Sequence, residues 1–189
     1  MHHSVERAID LGLEGLSIGM LARELGMSKS GVFAHFKSKQ ALQLAVIDHV
    51  ADMFVQATIR PALREARGRR RIWALAEGWF AWMADNPFGE GCFFVAAEAE
   101  FQGRPGPVRD RLIAHNRDWL DLIGNVAKTA VAEGSLDPET DLEAFALQFH
   151  AAGLIQQHAA RLLDDPRANE VARAMVARLL GDDPVAAAS

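Results

Sequence analysis

Residues 26–39, "GMSKSGVFAHFKSK", gather Lys29, Lys37 and Lys39 with Ser28, Ser30, Phe33 and Phe36 and hold no acidic side chain. That mixture suits a polyanion. Lysine neutralises phosphate, helix N-terminal N–H groups donate to phosphate oxygens, and an aromatic ring lies against sugar or a thymine methyl. Val32 and Phe36 are four apart and share a helical face, expected to pack with Met27 against Leu21 and Leu25. The opposite face then carries Ser30, Phe33 or Ala34, and Lys37, with Lys29 at the helix start. Ser30 and Gly31 keep the first turn thin enough to enter a major groove closely. The helix starts after Ser17, Ser28 and Ser38 present N–H groups to a phosphate backbone, and Lys39 adds a charge at the third of them.

Other chemistry finds no constellation. His150 and His158 are eight apart, roughly 12 Å along a helix, too far to share a metal. Glu-x-x-His, the mark of a di-iron bundle, does not occur. Glu98 and Glu100 are two apart and face different ways. Cys92, between Gly91 and Phe93, reads as a small buried thiol. A single cysteine makes no internal disulfide, and a reducing, cytoplasmic compartment is expected. No catalytic residue, metal ligand or cofactor is therefore assigned, and the chain is not expected to be an enzyme.

Large apolar side chains collect further along. Ile72, Leu75, Ala76, Trp79, Trp82 and Met83 form one stripe, and Trp73 and Phe80 another. Phe93, Phe101, Trp119, Phe145 and Phe149 follow on later segments. Most of such a set is core, but an aromatic-rich cavity between helices is also the usual small-molecule site. Candidate ligand contacts are Trp79, Trp82, Met83, Phe93, Phe101, His115, Trp119, Phe145 and Phe149, with Gln148, His150, Gln156 and His158 as further polar groups.

The elements that must position these residues are helical throughout. The 189 residues are 50% hydrophobic, enough for a sizeable core, and no apolar run approaches the roughly 20 residues that cross a membrane. The net charge of −5 argues against a generally nucleic-acid-coating protein. Residues 1–50, however, balance Arg7, Arg23, Lys29, Lys37 and Lys39 against Glu6, Asp10, Glu14, Glu24 and Asp48, so the excess acid lies beyond them. A small basic face on a neutral module joined to an acidic body suits local phosphate binding.

Helix signals fall at about 3–11, then from Ser17 to Gly26, from Ser28 to Phe36, and from Ser38 onward, where Leu42, Val46, Val50, Met53 and Ala57 recur at helical spacing. "REARGRRR" at 64–71 reads as a basic, solvated connector. Further helices are expected at about 70–85, 92–102, 106–133, 140–164 and 167–181, separated by "DNPFGEG", "QGRPGP", "EGSLDPET" and "DDP". The fold class is all-α: a three-helix helix-turn-helix head, a connecting fourth helix and a larger C-terminal bundle. The expected boundaries are 1–45 for the DNA-binding head and 46–189 for a ligand-binding and dimerisation domain.

The stretch "LSIGMLARELGMSKSGVFAHFKSKQAL" resembles the DNA-binding signature of TetR/AcrR-type transcriptional regulators. The matching parts are the Ile-x-x-Leu-Ala spacing, the Gly-Met-Ser turn, the aromatic-x-His-Phe ending and the following Ser-Lys. The likeness covers about residues 4–50; "NPFGEGCFF" and "RPGPVRD" resemble the C-terminal ligand domain of the same family more weakly. The resemblance implies about nine helices, a homodimer and a domain that senses a small molecule. It places Ser28, Lys29, Ser30, Gly31, Phe33 and His35 on DNA, with Lys39 on the backbone. Relatives usually have Tyr at the position of Phe33, so one hydroxyl-to-phosphate bond is missing. Many also have a longer basic lead-in that can touch DNA, and the resemblance carries no minor-groove arm over to this chain.

The expected function is a repressor released from a palindromic, double-stranded operator by an unidentified, mostly apolar effector. The DNA-binding set is Ser17, Ser28, Lys29, Ser30, Gly31, Phe33, His35, Lys37 and Lys39. The expected dimer forms through residues 140–181, where Leu147, Ala151, Leu154 and Leu162 meet Val171, Met175 and Leu179 near His158. No membrane partner is expected. The alternative is a small-molecule-binding helical protein without operator function, or an enzyme.

Overall fold

A computed structural model describes residues 1–84 and 92–182, and every regular element among them is helical. The helices are α1 (His2–Leu11), α2 (Ile18–Glu24), α3 (Lys29–Phe36), α4 (Lys39–Phe54), α5 (Arg60–Arg64), α6 (Arg69–Ala84), α7 (Phe93–Phe101), α8 (Pro107–Ala132), α9 (Leu142–Leu162) and α10 (Ala168–Leu179). A π turn at Val55–Ile59 fuses α4 to α5, so the described residues form nine helical runs. The expected break "DNPFGEG", and with it the first part of "NPFGEGCFF", lies outside the described residues.

The chain forms two compact units. The first comprises Met1–Met53 with Cys92–His115, the second Phe54–Gly91 with Asn116–Ser189. In the first, Val5 and Ala8 of α1, Leu13 and Leu16 of the following loop, Ile18, Leu21 and Ala22 of α2, Val32 of α3 and Leu42, Val46 and Val50 of α4 are buried. Serine side chains start three of these helices. Ser17 Oγ accepts from Met20 N at 3.1 Å, Ser28 Oγ from Gly31 N at 3.0 Å, and Ser38 Oγ from Ala41 N at 3.0 Å. Each satisfies an orphan N–H of the first turn, a contribution of about 1 kcal/mol.

Two expectations fail in this unit. Leu25 and Met27 are exposed, not packed against Val32 and Phe36, and Phe36 itself is only half-buried. Leu25 is the C-cap of α2 and Met27 follows Gly26, whose φ of 62° turns the chain away before either side chain reaches the core.

The second correction concerns the α4 stripe. Met53 is half-buried and Ala57 exposed; Phe54, Thr58 and Ala62 are buried instead. Buried positions 42, 43, 46, 47, 50, 51 and 54 alternate in the spacing of an ordinary stripe, but 54, 58 and 62 then step by four, and at 3.6 residues per turn such a step drifts around the helix. The wider π turn absorbs that drift. In the second unit, Thr58 Oγ1 donates to Gly78 O at 3.2 Å, tying this turn to α6.

Nor is "REARGRRR" simply a solvated connector. Within the second unit Arg69 donates to Ser135 O at 3.2 Å and Leu180 O at 2.6 Å and pairs with Asp182. Arg71 donates twice to Glu65 O, at 3.2 and 2.8 Å. Of these carbonyls, Glu65 O and Leu180 O stand at the C-caps of α5 and α10, where a helix leaves carbonyls unpaired.

Candidate nucleic-acid interface and the aromatic core

α2 and α3 pack against each other around the Gly26–Ser28 turn. α3 is short because Lys37 adopts the left-handed region, φ 59°, and its N–H closes on Phe33 O at 2.7 Å. Only Val32 of α3 is buried. Ser28, Lys29, Ser30, Phe33, His35 and Lys37 are exposed, Gly31 half-exposed, and Phe33 has 53% of its surface open. An eight-residue helix thus displays one lysine, a hydroxyl, an imidazole and an aromatic ring on its open side, with a second lysine, Lys37, at its C-cap. The Ser28 hydroxyl is engaged twice, with Gly31 N and with Ser30 Oγ at 3.1 Å, so it shapes the helix start.

Lys39 sits differently. Its ammonium donates to Glu14 Oε1 at 2.7 Å. Buried Gln43 donates to Leu13 O at 3.0 Å and to Glu14 Oε2 at 3.2 Å, and Arg104 lies 3.7 Å from the same oxygen. The hydrogen bond from Lys39, followed by Gln43 and the charge of Arg104, lowers the Glu14 carboxyl below its ordinary value against the opposing effect of burial. Glu100 of α7 accepts from Leu13 N at 2.8 Å and Glu14 N at 2.9 Å. Gly12 makes this approach feasible: its φ is 77°, and a Cβ there would lie 3.0 Å from Glu100 Oε1. None of Glu14, Gln43 or Glu100 was legible as a site residue, because the bonds from Glu100 span 86 and 87 positions.

The remaining first-unit candidates are Phe93, Phe101 and His115. Phe93 and Phe101 are buried on α7. His115 is 3.2 Å from Asp48, which also pairs with Arg111, and its ring lies beside Phe94 at 6.1 Å. Burial raises the Asp48 carboxyl, but the bonds from Arg111 and His115 and their charges leave it lowered overall.

The second unit brings together Trp79, Trp82, Trp119 and Phe149, all buried, as are Met83 and Phe145. Phe54, which sequence reasoning missed, is the hub: its ring meets Trp79, Trp82 and Trp119 edge-on at 5.6, 5.4 and 5.2 Å. Such pairs add about 0.5–1.5 kcal/mol each beyond area burial. Trp119 Nε1 donates to His150 Nδ1 at 3.1 Å, and Trp79 stacks over the same imidazole at 5.7 Å. Burial holds the His150 pKa below its ordinary value, which favours the neutral ring that this bond requires. Gln156 is buried and donates weakly to Phe80 O at 3.4 Å, while its Oε1 has no protein partner. Gln148 and His158 point out of this core and are exposed.

Along α9 and α10 the apolar residues Leu147, Leu154, Ile155, Leu162, Leu163 and Val171 stand exposed, Ala151 and His158 with them, and Met175 and Leu179 are half-buried. No helix among the described residues is long and apolar enough to cross a membrane.

Two family models match the chain. Residues 5–46 match the bacterial regulatory proteins of the tetR family, and residues 68–176 match the tetracyclin repressor-like C-terminal domain. No curated protein matched significantly. Among solved structures, a TetR transcriptional regulator from Chloroflexus aurantiacus is 24% identical, with TM-score 0.77 over 95% of this chain and 91% of that one. AibR, solved with isovaleryl coenzyme A and operator DNA, is 19% identical, with TM-score 0.73 over 96% and 99%. FadR from Bacillus subtilis, solved with stearoyl-CoA, is 12% identical, with TM-score 0.73 over 92% and 94%. The serine-capped α2–turn–α3 head and the all-helical C-terminal region agree with both matches, and the chain belongs to the TetR family of DNA-binding transcriptional regulators.

Proposed function

We propose that this regulator is a repressor that holds a palindromic operator as a homodimer and releases it on binding a mostly apolar small molecule. The observation that carries the reading is the open side of α3, where Lys29, Ser30, Phe33 and Lys37 stand exposed on a helix anchored by Val32. A helix this short reads few base pairs, so a two-fold partner is needed for useful specificity. The exposed apolar residues of α9 and α10 support such a partner, because a contiguous apolar face of this kind is costly in water.

For the effector, support comes from the second unit. Its interior offers indole, phenyl and a neutral imidazole, and no carboxylate or ammonium among Phe54, Trp79, Trp82, Trp119, Phe149 and His150. An uncharged or weakly anionic apolar compound matches those surfaces. Two fold neighbours were solved with isovaleryl coenzyme A and stearoyl-CoA, whose acyl chains, unlike their charged coenzyme A moieties, are apolar. The unbroken helical run from Lys39 to Arg64 offers a continuous path for the response.

The test couples two titrations. Tryptophan fluorescence is followed with short and long acyl thioesters and with neutral aromatic compounds, and binding of a duplex from the gene's own upstream region is then measured with any binder present. A bound compound that weakens duplex binding supports the reading, and the coupling must be reciprocal. A compound that fills the aromatic core yet leaves duplex affinity unchanged contradicts it.

A further inference from the structure

Lys39 begins α4 beside the open side of α3, yet its ammonium is already occupied. Glu14 takes it at 2.7 Å, and the same carboxylate lies 3.7 Å from Arg104 in the turn between α7 and α8. Glu14 is held at both its backbone and its carboxylate. Its backbone N–H is held by Glu100 at 2.9 Å, its neighbour Leu13 by Glu100 at 2.8 Å, and its Oε2 by Gln43 at 3.2 Å. Arg104 is itself oriented, with its guanidinium 5.6 Å over the Phe101 ring and its N–H on Phe101 O at 2.9 Å. One fixed carboxylate therefore stands between a cation at the DNA-facing start of α4 and a cation on the segment that carries α7.

We infer that Glu14 competes with an operator phosphate for Lys39, and that Arg104 sets how strongly it competes. The inference rests on the reading of the head as a DNA-binding module and adds a regulatory contact to it. Lys39 reaches a phosphate only by leaving Glu14. When Arg104 draws on Glu14, part of the carboxylate's field is spent on the guanidinium, and Lys39 is released more easily. When the α7–α8 turn withdraws Arg104, Lys39 bears the whole attraction. No covalent bond is made or broken in the exchange; a hydrogen-bonded ion pair is traded for a phosphate contact. An exposed pair of this kind shifts affinity by a small factor, about two- to fivefold for each head engaged.

The signs of two substitutions separate this from a structural role. Glu14→Gln keeps the shape and an acceptor for Gln43 but removes the charge. It is expected to tighten binding of a fluorescein-labelled upstream duplex by about two- to fivefold per head and to steepen the dependence of log affinity on log salt by up to about 1. In a Lys39→Ala background the gain must disappear, whereas simple relief of charge repulsion would persist there. Arg104→Gln is expected to weaken binding by a similar factor, and to have no effect once Glu14 is Gln. An effect of Arg104→Gln that survives in the Glu14→Gln background would make Arg104 a direct DNA contact and overturn the inference. So would Glu14→Gln binding with wild-type affinity and salt slope while the wild-type chain binds well. A wild-type chain that binds no duplex, upstream or mixed-sequence, would overturn the DNA-binding reading and this inference together. Circular dichroism melts of each variant distinguish lost folding from lost competition. If Glu14→Gln melts early, Glu14→Ser in the same comparison supplies the charge-free loop.

Discussion

Phe33 is an exposed aromatic ring on a helix whose inward side is held by Val32. Removing it costs little core burial, so Phe33→Ala is expected to leave the melting temperature nearly unchanged while weakening duplex binding. Phe33→Tyr adds a hydroxyl that can donate to phosphate, and one such bond is worth about 0.5–1.5 kcal/mol, so binding should tighten by about two- to tenfold. A large stability loss in Phe33→Ala would contradict the exposed position. Glu98 makes a separate prediction. Burial pushes its carboxyl up to about 7 from 4.5. Between those values the unfolded chain has released the proton that the folded chain retains. The unfolded state binds fewer protons there, so stability falls as the pH rises through the window, by at most about 1.4 kcal/mol per pH unit. Glu98→Gln has nothing to titrate, and its denaturant midpoint should fall less steeply than the wild type's from pH 4.5 to 7. Parallel profiles for the two proteins would contradict the burial assigned to this carboxyl.

At the scale of elements, the packing of α9 on α6 depends on one missing side chain. A Cβ on Gly153 would lie 1.7 Å from Trp79 Nε1, so neither ring nor helix could stay where it is. Gly153→Ala is expected to destabilise the protein by about 1–3 kcal/mol or more and to change tryptophan fluorescence. An unperturbed melt and spectrum would show that the ring does not rest on that glycine. Helix ends were largely legible, because Ser17, Ser28 and Ser38 cap and the Gly and Pro residues interrupt, and these are local signals. The open side of α3 was legible for the same reason: Val32 and Phe33 are adjacent and must diverge. What local pattern could not give was the π turn, since the steps of four from Phe54 to Thr58 and Ala62 look like the continuation of an ordinary helix stripe. Leu25 and Met27 were misplaced because a seven-residue α2 ends before its stripe does. The hold of Glu100 on the loop at Leu13 and Glu14 joins distant stretches of chain through backbone N–H groups, which carry no residue-type signal.

For the whole molecule, the exposed apolar side of α9 and α10 predicts self-association. Leu154→Glu combined with Leu162→Glu should convert a dimer to a monomer by light scattering at micromolar concentration, with helicity retained. It should also weaken duplex binding by far more than either head's contacts alone, because two linked sites become one. A wild-type monomer that folds normally would contradict the proposed assembly. DNA recognition by the α3 side of the head is tested most directly by the salt dependence of upstream-duplex binding, measured by fluorescence anisotropy for wild type and Lys29→Ala. Wild type should lose affinity steeply as salt rises, and Lys29→Ala should flatten the slope by about 1 per head engaged at an unchanged melting temperature. An identical slope and affinity in the two proteins would remove this side of α3 from the DNA interface.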